Sequence, residues 1–205
     1  MAAKVYTELK DILDPAHTCL VVWDVQNGLV KNIFNQDDFL SSLKKLITAA
    51  RRHNVPLVYT RITPLPPAYQ SGWNIYRNMQ RFGVTDPAKL PVFMATGSKD
   101  AEIHTDVAPM ESDHIFAKHA ASIFMGTYFE TMMRNRGVET LVFTGIATEI
   151  GIASSVRDAG NLGFYPVVAS DCVSSASMER HDATLISLPA VSLVLPSSKI
   201  IEQWG

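Results

Sequence analysis

"ETLVFTGIATEIGI", residues 139–152, decides the fold. Leu141–Val142–Phe143 is an apolar run of the kind buried on both faces of a parallel sheet. Gly145 marks a tight turn, and Thr148 opens a helical segment, TEIGIASSVRDAGNLG, that continues to residue 163. A strand that enters a helix through a tight Gly-containing turn is where parallel α/β proteins hold ligands and mount nucleophiles. Yet residues 144–152 contain no Cys, Ser or His.

The same alternation extends in both directions. TCLVVWDV (18–25) reads as a central strand, DDFLSSLKKLITAARRHN (37–54) as a helix, and VPLVYTRI (55–62) as a second strand. Downstream come a short strand DHIFAK (113–118) and one helix over SIFMGTYFETMMRNRG (122–137). The strand ETLVFTG (139–145) and the helix from Thr148 follow. A strand YPVVAS (165–170), a helix SMERHDATLISL (177–188), a strand VSLVL (191–195) and a terminal helical turn complete the chain. Strands alternating with helices predict one α/β domain over 1–205, a three-layer sandwich with a parallel sheet of about six strands covered on both faces. Residues 63–112 break the alternation. This Pro-, Gly- and Met-rich insertion is long enough to be expected as a pocket wall, with short helices around WNIYRNMQRF and TDPAKL.

Composition narrows the function classes. Of 205 residues 47% are hydrophobic and 19% charged, with a net charge of −2 and no dense Lys/Arg stripe, which argues against nucleic acid as a partner. The apolar excess predicts a homo-oligomer, a dimer or tetramer. Two cysteines, Cys19 and Cys172, make no disulfide framework. MAAKVYTELKDILDP lacks a long apolar segment and no run reaches about 18 apolar residues, so a cytoplasmic protein without a membrane span is expected. No GxGxxG pattern is present, which argues against a dinucleotide.

In an open parallel sheet the ligand crevice lies at the C-terminal ends of the strands. The polar residues there are Asp24, Thr60, Arg61, Lys118, the turn Thr144–Gly151, and Asp171 with Cys172. Asp24 follows four apolar residues, and Lys118 ends the run HIFAK. A charge delivered by a buried strand needs a partner. On pattern alone each either caps its strand in a structural ion pair or works in the crevice.

VVWDVQN, FAKHAASIFMGTYFETMM and VFTGIATEIGIASSVRDAGNLGFYPVVASDCVSS together resemble the isochorismatase-like hydrolase superfamily, over nearly the whole chain and in the expected order. That superfamily includes nicotinamidases, N-carbamoylsarcosine amidohydrolases and isochorismatases. The resemblance implies strand order 3-2-1-4-5-6 and a small-molecule substrate. In the amidase branch it implies an Asp–Lys–Cys triad whose first two members match Asp24 and Lys118. The Cys position is Gly151 here. Ile146–Ala147 matches a turn that carries a non-proline cis peptide, and the N–H groups of Ala147 and residue 151 match an oxyanion hole. True isochorismatases share a Gly at this position and use the Asp as an acid on a vinyl ether, with the Gly making room for the substrate ring. Asp24 and Lys118 are therefore expected as catalytic residues, with Ile146, Ala147, Ile150 and Gly151 around the substrate.

Other residues bear on the same chemistry. Gln26 matches a substrate-bonding residue of the superfamily or caps the following turn. Trp73 and Tyr76 stack on a planar substrate or pack the insertion. His119 lines the pocket or sits on the surface. Ser155, one turn beyond Gly151, Glu149 at the helix start, and Cys172 are the alternative nucleophile or base; Cys19 belongs to the core. The nicotinamidase branch binds a metal through an Asp and two His after strand two; TRITPLPPAYQSGW has no His, and His104, His114 and His119 lack ligand spacing, so neither metal nor cofactor is expected. Three outcomes stay open: a hydrolase without the Cys nucleophile, acting on a vinyl ether or C–N bond; an inactive ligand-binding protein of the same fold; or a hydrolase using Cys172.

Overall fold

The structure, a computed structural model, describes residues 5–205. Six strands form one all-parallel sheet: β1 Thr18–Trp23, β2 Leu57–Ile62, β3 His114–Lys118, β4 Thr140–Ile146, β5 Tyr165–Ser174 and β6 Leu193–Leu195. Their order is β3-β2-β1-β4-β5-β6, so the chain reverses direction of growth between β1 and β4. The helices are α1 Leu9–Ile12, α2 Asn27–Val30, α3 Gln36–Arg52, α4 Gly72–Phe82, α5 Phe129–Asn135, α6 Ala153–Asn161, α7 Met178–Ser187 and α8 Ser197–Trp204.

Strand alternation sends successive side chains to opposite layers. Leu20 and Val22 of β1 join Phe39, Leu43, Leu46 and Ile47 of α3 and Ile200 and Trp204 of α8. Cys19, Val21 and Trp23 face the other way, onto Phe129 and Met133 of α5 and Val156 and Ala159 of α6. Every residue of β1 and β4 is buried, as continuous apolar runs require when both faces are covered.

Three local readings change. Residues 122–137 are not one helix: Gly126 takes φ +73°, and Thr127 donates its hydroxyl to Ile123 O and accepts from Phe129 N–H, so only Phe129–Asn135 is α-helical. The helix after β4 begins as a π turn, Thr148–Ile152, before α6 proper. β5 runs four residues past the expected end, to Ser174. The insertion carries α4 and several single 3₁₀ turns. Its second half is sewn to the exit of β1: Asn27 N–H bonds Glu102 O at 2.9 Å and His104 N–H bonds Val25 O at 2.9 Å. α4 has no buried residue, and Trp73 and Tyr76 stand on it 67% and 53% exposed. Among the described residues no helix is long and apolar enough to cross a membrane.

Candidate active site

The crevice expected at the β1/β4 reversal gathers residues from four strand ends. Asp24 leaves β1 at φ +46°, a left-handed conformation that Asp tolerates better than most residues and that turns the chain sharply out of the strand. Thr60 on β2 grips it twice: its hydroxyl donates to Asp24 Oδ1 at 2.5 Å and accepts from Asp24 N–H at 3.0 Å. Lys118, at the end of β3, donates to Asp24 Oδ2 at 2.5 Å and to Ala120 O at 3.3 Å. Lys118 reaches Asp24 across β2, because the two strands flank it in the sheet.

The pair is only 4% and 2% exposed. Burial raises the Asp24 pKa above the ordinary carboxylate range, against the opposing pull of the Lys118 charge and hydrogen bond. Burial likewise lowers the Lys118 pKa, against the pull of Asp24. Both shifts favour the neutral acid and the neutral amine. Burial thus disfavours the charge on each group, and their 2.5 Å contact opposes that penalty on both.

Gly151 is buried in the π turn. A Cβ built on it would lie 2.1 Å from Trp23 Nε1, 2.5 Å from Cε2 and 2.8 Å from Cζ2. The space beside Gly151 is therefore not open. The Trp23 indole, 1% exposed, fills the volume a side chain at 151 would take, and Lys118 Nζ lies 3.9 Å over its ring centroid. This overturns the expectation that Gly151 makes room for a substrate ring. Gly145 has a matching steric reason: at φ +116° it pairs with Trp23, and a Cβ there would sit 1.9 Å from Trp23 O. Two glycines thus surround one tryptophan.

The other candidates divide. The Ile146–Ala147 peptide is cis, and Ala147 O accepts from Ile150 N–H at 3.2 Å and Ile152 N–H at 3.3 Å, which closes the turn under Gly151. Ile146 is buried and Ile150 is 42% exposed at the rim. Gln26 is fully buried and ties main chain: its amide donates to Ala101 O at 2.8 Å and Ile62 O at 3.3 Å and accepts from Ile62 N–H at 2.8 Å. Its amide is thereby engaged in joining β2 to the insertion, not offered to a substrate. Trp73 stacks on Tyr76 on exposed α4, at 6.0 Å between centroids. His119 is exposed, with Nδ1 2.8 Å from Thr63 O.

The alternative nucleophiles are accounted for by their bonds. Ser155 donates to Gly151 O at 2.8 Å and accepts from Ile123 N–H at 3.3 Å, pinning α6 to the segment before α5. Cys172 is fully buried in the α3 layer; burial and the adjacent Asp171 carboxylate hold its pKa well above the thiol range, so it is kept as a thiol. Asp171 itself caps α8 through Ser197 N–H at 2.7 Å and Ser197 Oγ–H at 2.6 Å. Glu149 Oε1 accepts from Ser175 at 2.8 Å, while its Oε2 is occluded without a donor. Among the described residues no three His, Cys, Asp or Glu side chains cluster as metal ligands. Sequence reading missed Trp23 and the double role of Thr60. The signal for Trp23 was present: the largest side chain in β1 directly precedes Asp24, and two glycines occur in the facing segment.

The isochorismatase domain matches residues 18–195. The uncharacterized isochorismatase family protein YwoC of Bacillus subtilis is 28% identical, covering 93% of this chain and 96% of its own. A ureidoacrylate amidohydrolase, RutB, of Methylobacterium radiotolerans is also 28% identical, over 86% of this chain and 74% of its own. A cysteine hydrolase from Pseudomonas syringae pv. phaseolicola shares the fold at TM-score 0.80 with 20% identity, over 93% of each chain. The family match spans the whole sheet, from the start of β1 to the end of β6, and the chain belongs to the isochorismatase family of hydrolases.

Proposed function

We propose that this protein hydrolyses a C–N bond of a small amide or ureido compound without a covalent intermediate, with water as nucleophile and Asp24–Lys118 as a joined acid and base. The single observation that carries this is the filled seat: Trp23 occupies the place of a nucleophile at residue 151, while the 2.5 Å Asp24–Lys118 contact is complete. In this reading Asp24 is the acid and Lys118 the base, roles toward which burial of each charge pushes them. Water adds to the carbonyl carbon as its proton passes to the Lys118 amine. The C–N bond breaks as the Asp24 proton passes to the departing nitrogen. Lys118 then returns its proton to Asp24 across their contact, so the pair ends as it began. The N–H groups of Ala147 and Gly151, being main chain, serve as oxyanion donors under this reading. The amidohydrolase among the relatives supports a C–N substrate.

The test is a panel of small amides, ureido compounds and vinyl ethers assayed with wild type and Asp24→Asn. Hydrolysis that releases an amine or ammonia, is lost in Asp24→Asn and survives thiol alkylation is the expected result. In D2O, a deuteron on product carbon would show vinyl-ether chemistry instead. Loss of activity on alkylation would return the role to Cys172, and no turnover of any compound would leave a ligand-binding protein. The exposed aromatic face of α4 supports a homo-oligomer, which light scattering tests.

A further inference from the structure

Asp24 and Thr60 share two hydrogen bonds, and the direction of each follows from the groups it joins. The Asp24 main-chain N–H can only donate, so the Thr60 hydroxyl oxygen accepts from it, at 3.0 Å. The same oxygen lies 2.5 Å from Asp24 Oδ1. Thr60 is 1% exposed, and among the described residues its hydroxyl has no other partner. A buried hydroxyl proton left without an acceptor is destabilising. The single Thr60 hydroxyl proton is therefore directed at Oδ1. A proton on Oδ1 would either face Thr60 Oγ and displace the hydroxyl proton into a space without an acceptor, or turn away and find no acceptor itself. Oδ1 is thus a hydrogen-bond acceptor only.

Oδ2 is placed differently. Its partner is Lys118 Nζ at 2.5 Å, and a lysine nitrogen donates as an ammonium but accepts as an amine. This contact can hold a proton on either side. We infer that Thr60 is a positioning residue that keeps Asp24 Oδ1 free of protons and confines the exchangeable proton of the carboxyl to Oδ2, the oxygen facing Lys118. This rests on the hydrolytic reading above and resolves its acid to one atom. The departing nitrogen then has to meet Oδ2 beside Lys118, not the oxygen held by β2. The fold supplies the clamp with one side chain. β1 and β2 run parallel with Val22 opposite Tyr59, which brings Thr60 beside the exit of β1. The φ of +46° at Asp24 then turns its N–H and its carboxyl toward the same hydroxyl. The β-branch of Thr60 restricts χ1, so the hydroxyl does not swing freely. The groups acting on the Asp24 charge are Lys118 from β3, and the Thr60 hydroxyl and Ile62 main chain from β2.

The sign of one titration distinguishes the two proton arrangements. The Asp24 Cγ resonance is followed by ¹³C NMR in wild type, Thr60→Val and Thr60→Ser. A hydroxyl that donates to Oδ1 stabilises the charged carboxyl. Thr60→Val keeps the shape and removes that donor, so it should raise the midpoint by about one pH unit, a tenfold gain in proton affinity, and Thr60→Ser should restore it. A hydroxyl that accepts from a protonated Oδ1 would instead stabilise the neutral acid, and its removal would lower the midpoint. A lowered or unmoved midpoint in Thr60→Val overturns the inference. Neutron diffraction from wild-type crystals exchanged into D2O reads the same atoms without a variant, and decides the case if the carboxyl does not titrate while the protein is folded. A deuteron on Thr60 Oγ along the line to Oδ1, with none on Oδ1, is the expected result; a deuteron on Oδ1 overturns the inference. Neither readout needs turnover. If Asp24→Asn keeps full activity while the Thr60→Val midpoint rises, the hydrolytic reading falls and the proton assignment stands; Asp24-dependent turnover with a lowered midpoint does the reverse.

Discussion

Gly151→Ala is the sharpest probe of the site, because its sign is opposite to the ordinary expectation. Replacing a helical glycine by alanine normally favours folding by up to about 1 kcal/mol. Here the new methyl would lie 2.1 Å from Trp23 Nε1, where carbon contacts ordinarily close at about 3.5–4.0 Å. The indole has no retreat. It is 1% exposed, Lys118 covers one face, and its backbone is paired with Gly145 in the β1–β4 register. Overpacking of a rigid core costs about 1–3 kcal/mol. Taking the upper figure and subtracting the propensity gain leaves a net loss of about 2 kcal/mol. For a chain of this size that lowers Tm by about 4–8 °C. Trp23→Val alone opens a void and should cost about 3–5 kcal/mol. In the double variant the methyl enters that void, so the two losses should fall short of their sum by about 2 kcal/mol. Urea unfolding of the four proteins, followed by circular dichroism, gives the coupling. Additivity within about 0.5 kcal/mol would refute the reasoning, because residues that do not touch are the ones that add.

The remaining predictions concern the ion pair and the thiols. Lys118→Met leaves Asp24 buried without its partner and should cost about 3–5 kcal/mol at neutral pH, while Asp24→Asn with Lys118→Met recovers most of it. Removing Lys118 removes a charge that pulls the Asp24 pKa down, so that pKa rises further. A carboxyl whose pKa is raised on folding keeps its proton in the native state. The single variant should therefore lose stability as pH climbs from about 4 through the raised value, and its urea midpoint should be higher at about pH 4 than at about pH 8. In wild type, kcat/KM should follow a bell: the acid limb adds a second proton to the one-proton pair, and the alkaline limb removes the only one. The two limbs belong to the pair jointly, and a profile unchanged in Asp24→Asn would exclude the pair from turnover. Native protein treated with iodoacetamide should show no modified Cys172 by mass spectrometry, since its thiolate is suppressed and the group is fully buried.

The layout of the sheet was legible because both-face burial makes each central strand a near-continuous apolar run, and TCLVVW and TLVFTGI are such runs. Asp24 and Lys118 were legible for the converse reason: a charge at the end of such a run needs a partner at the same end of the sheet. Helix limits were less so. SIFMGTYFETMM has helical apolar spacing, but the conformation of Gly126 and the hydroxyl bonds of Thr127 outweigh propensity there. Gln26 reads as an available amide because sequence shows the donor and acceptor groups a side chain carries, not which main-chain partners already hold them. The occupant of the space beside Gly151 was not legible at all from the GIATEIG turn. It comes from residue 23, on a strand more than a hundred positions away, and only the β1–β4 register brings the two together.

That register makes Trp23 and Gly151 one unit. Four pairings of large and small side chains are conceivable at the two positions, and packing accepts two of them. A tryptophan opposite a glycine fills the space, and a small aliphatic residue opposite a cysteine would fill it as well. A tryptophan opposite a cysteine overlaps by more than a van der Waals contact can absorb, and two small residues leave a hole in the layer that also seats α6. Installing a thiol at 151 alone therefore tests overpacking, not catalysis. The competence of the Asp24–Lys118 frame toward a thiol becomes visible only when residue 23 is reduced in the same molecule. The filled space at residue 151 separates two readings of its glycine: a position that had merely lost a side chain would leave empty space, whereas here the rigid Trp23 ring fills it beside the Asp24–Lys118 contact.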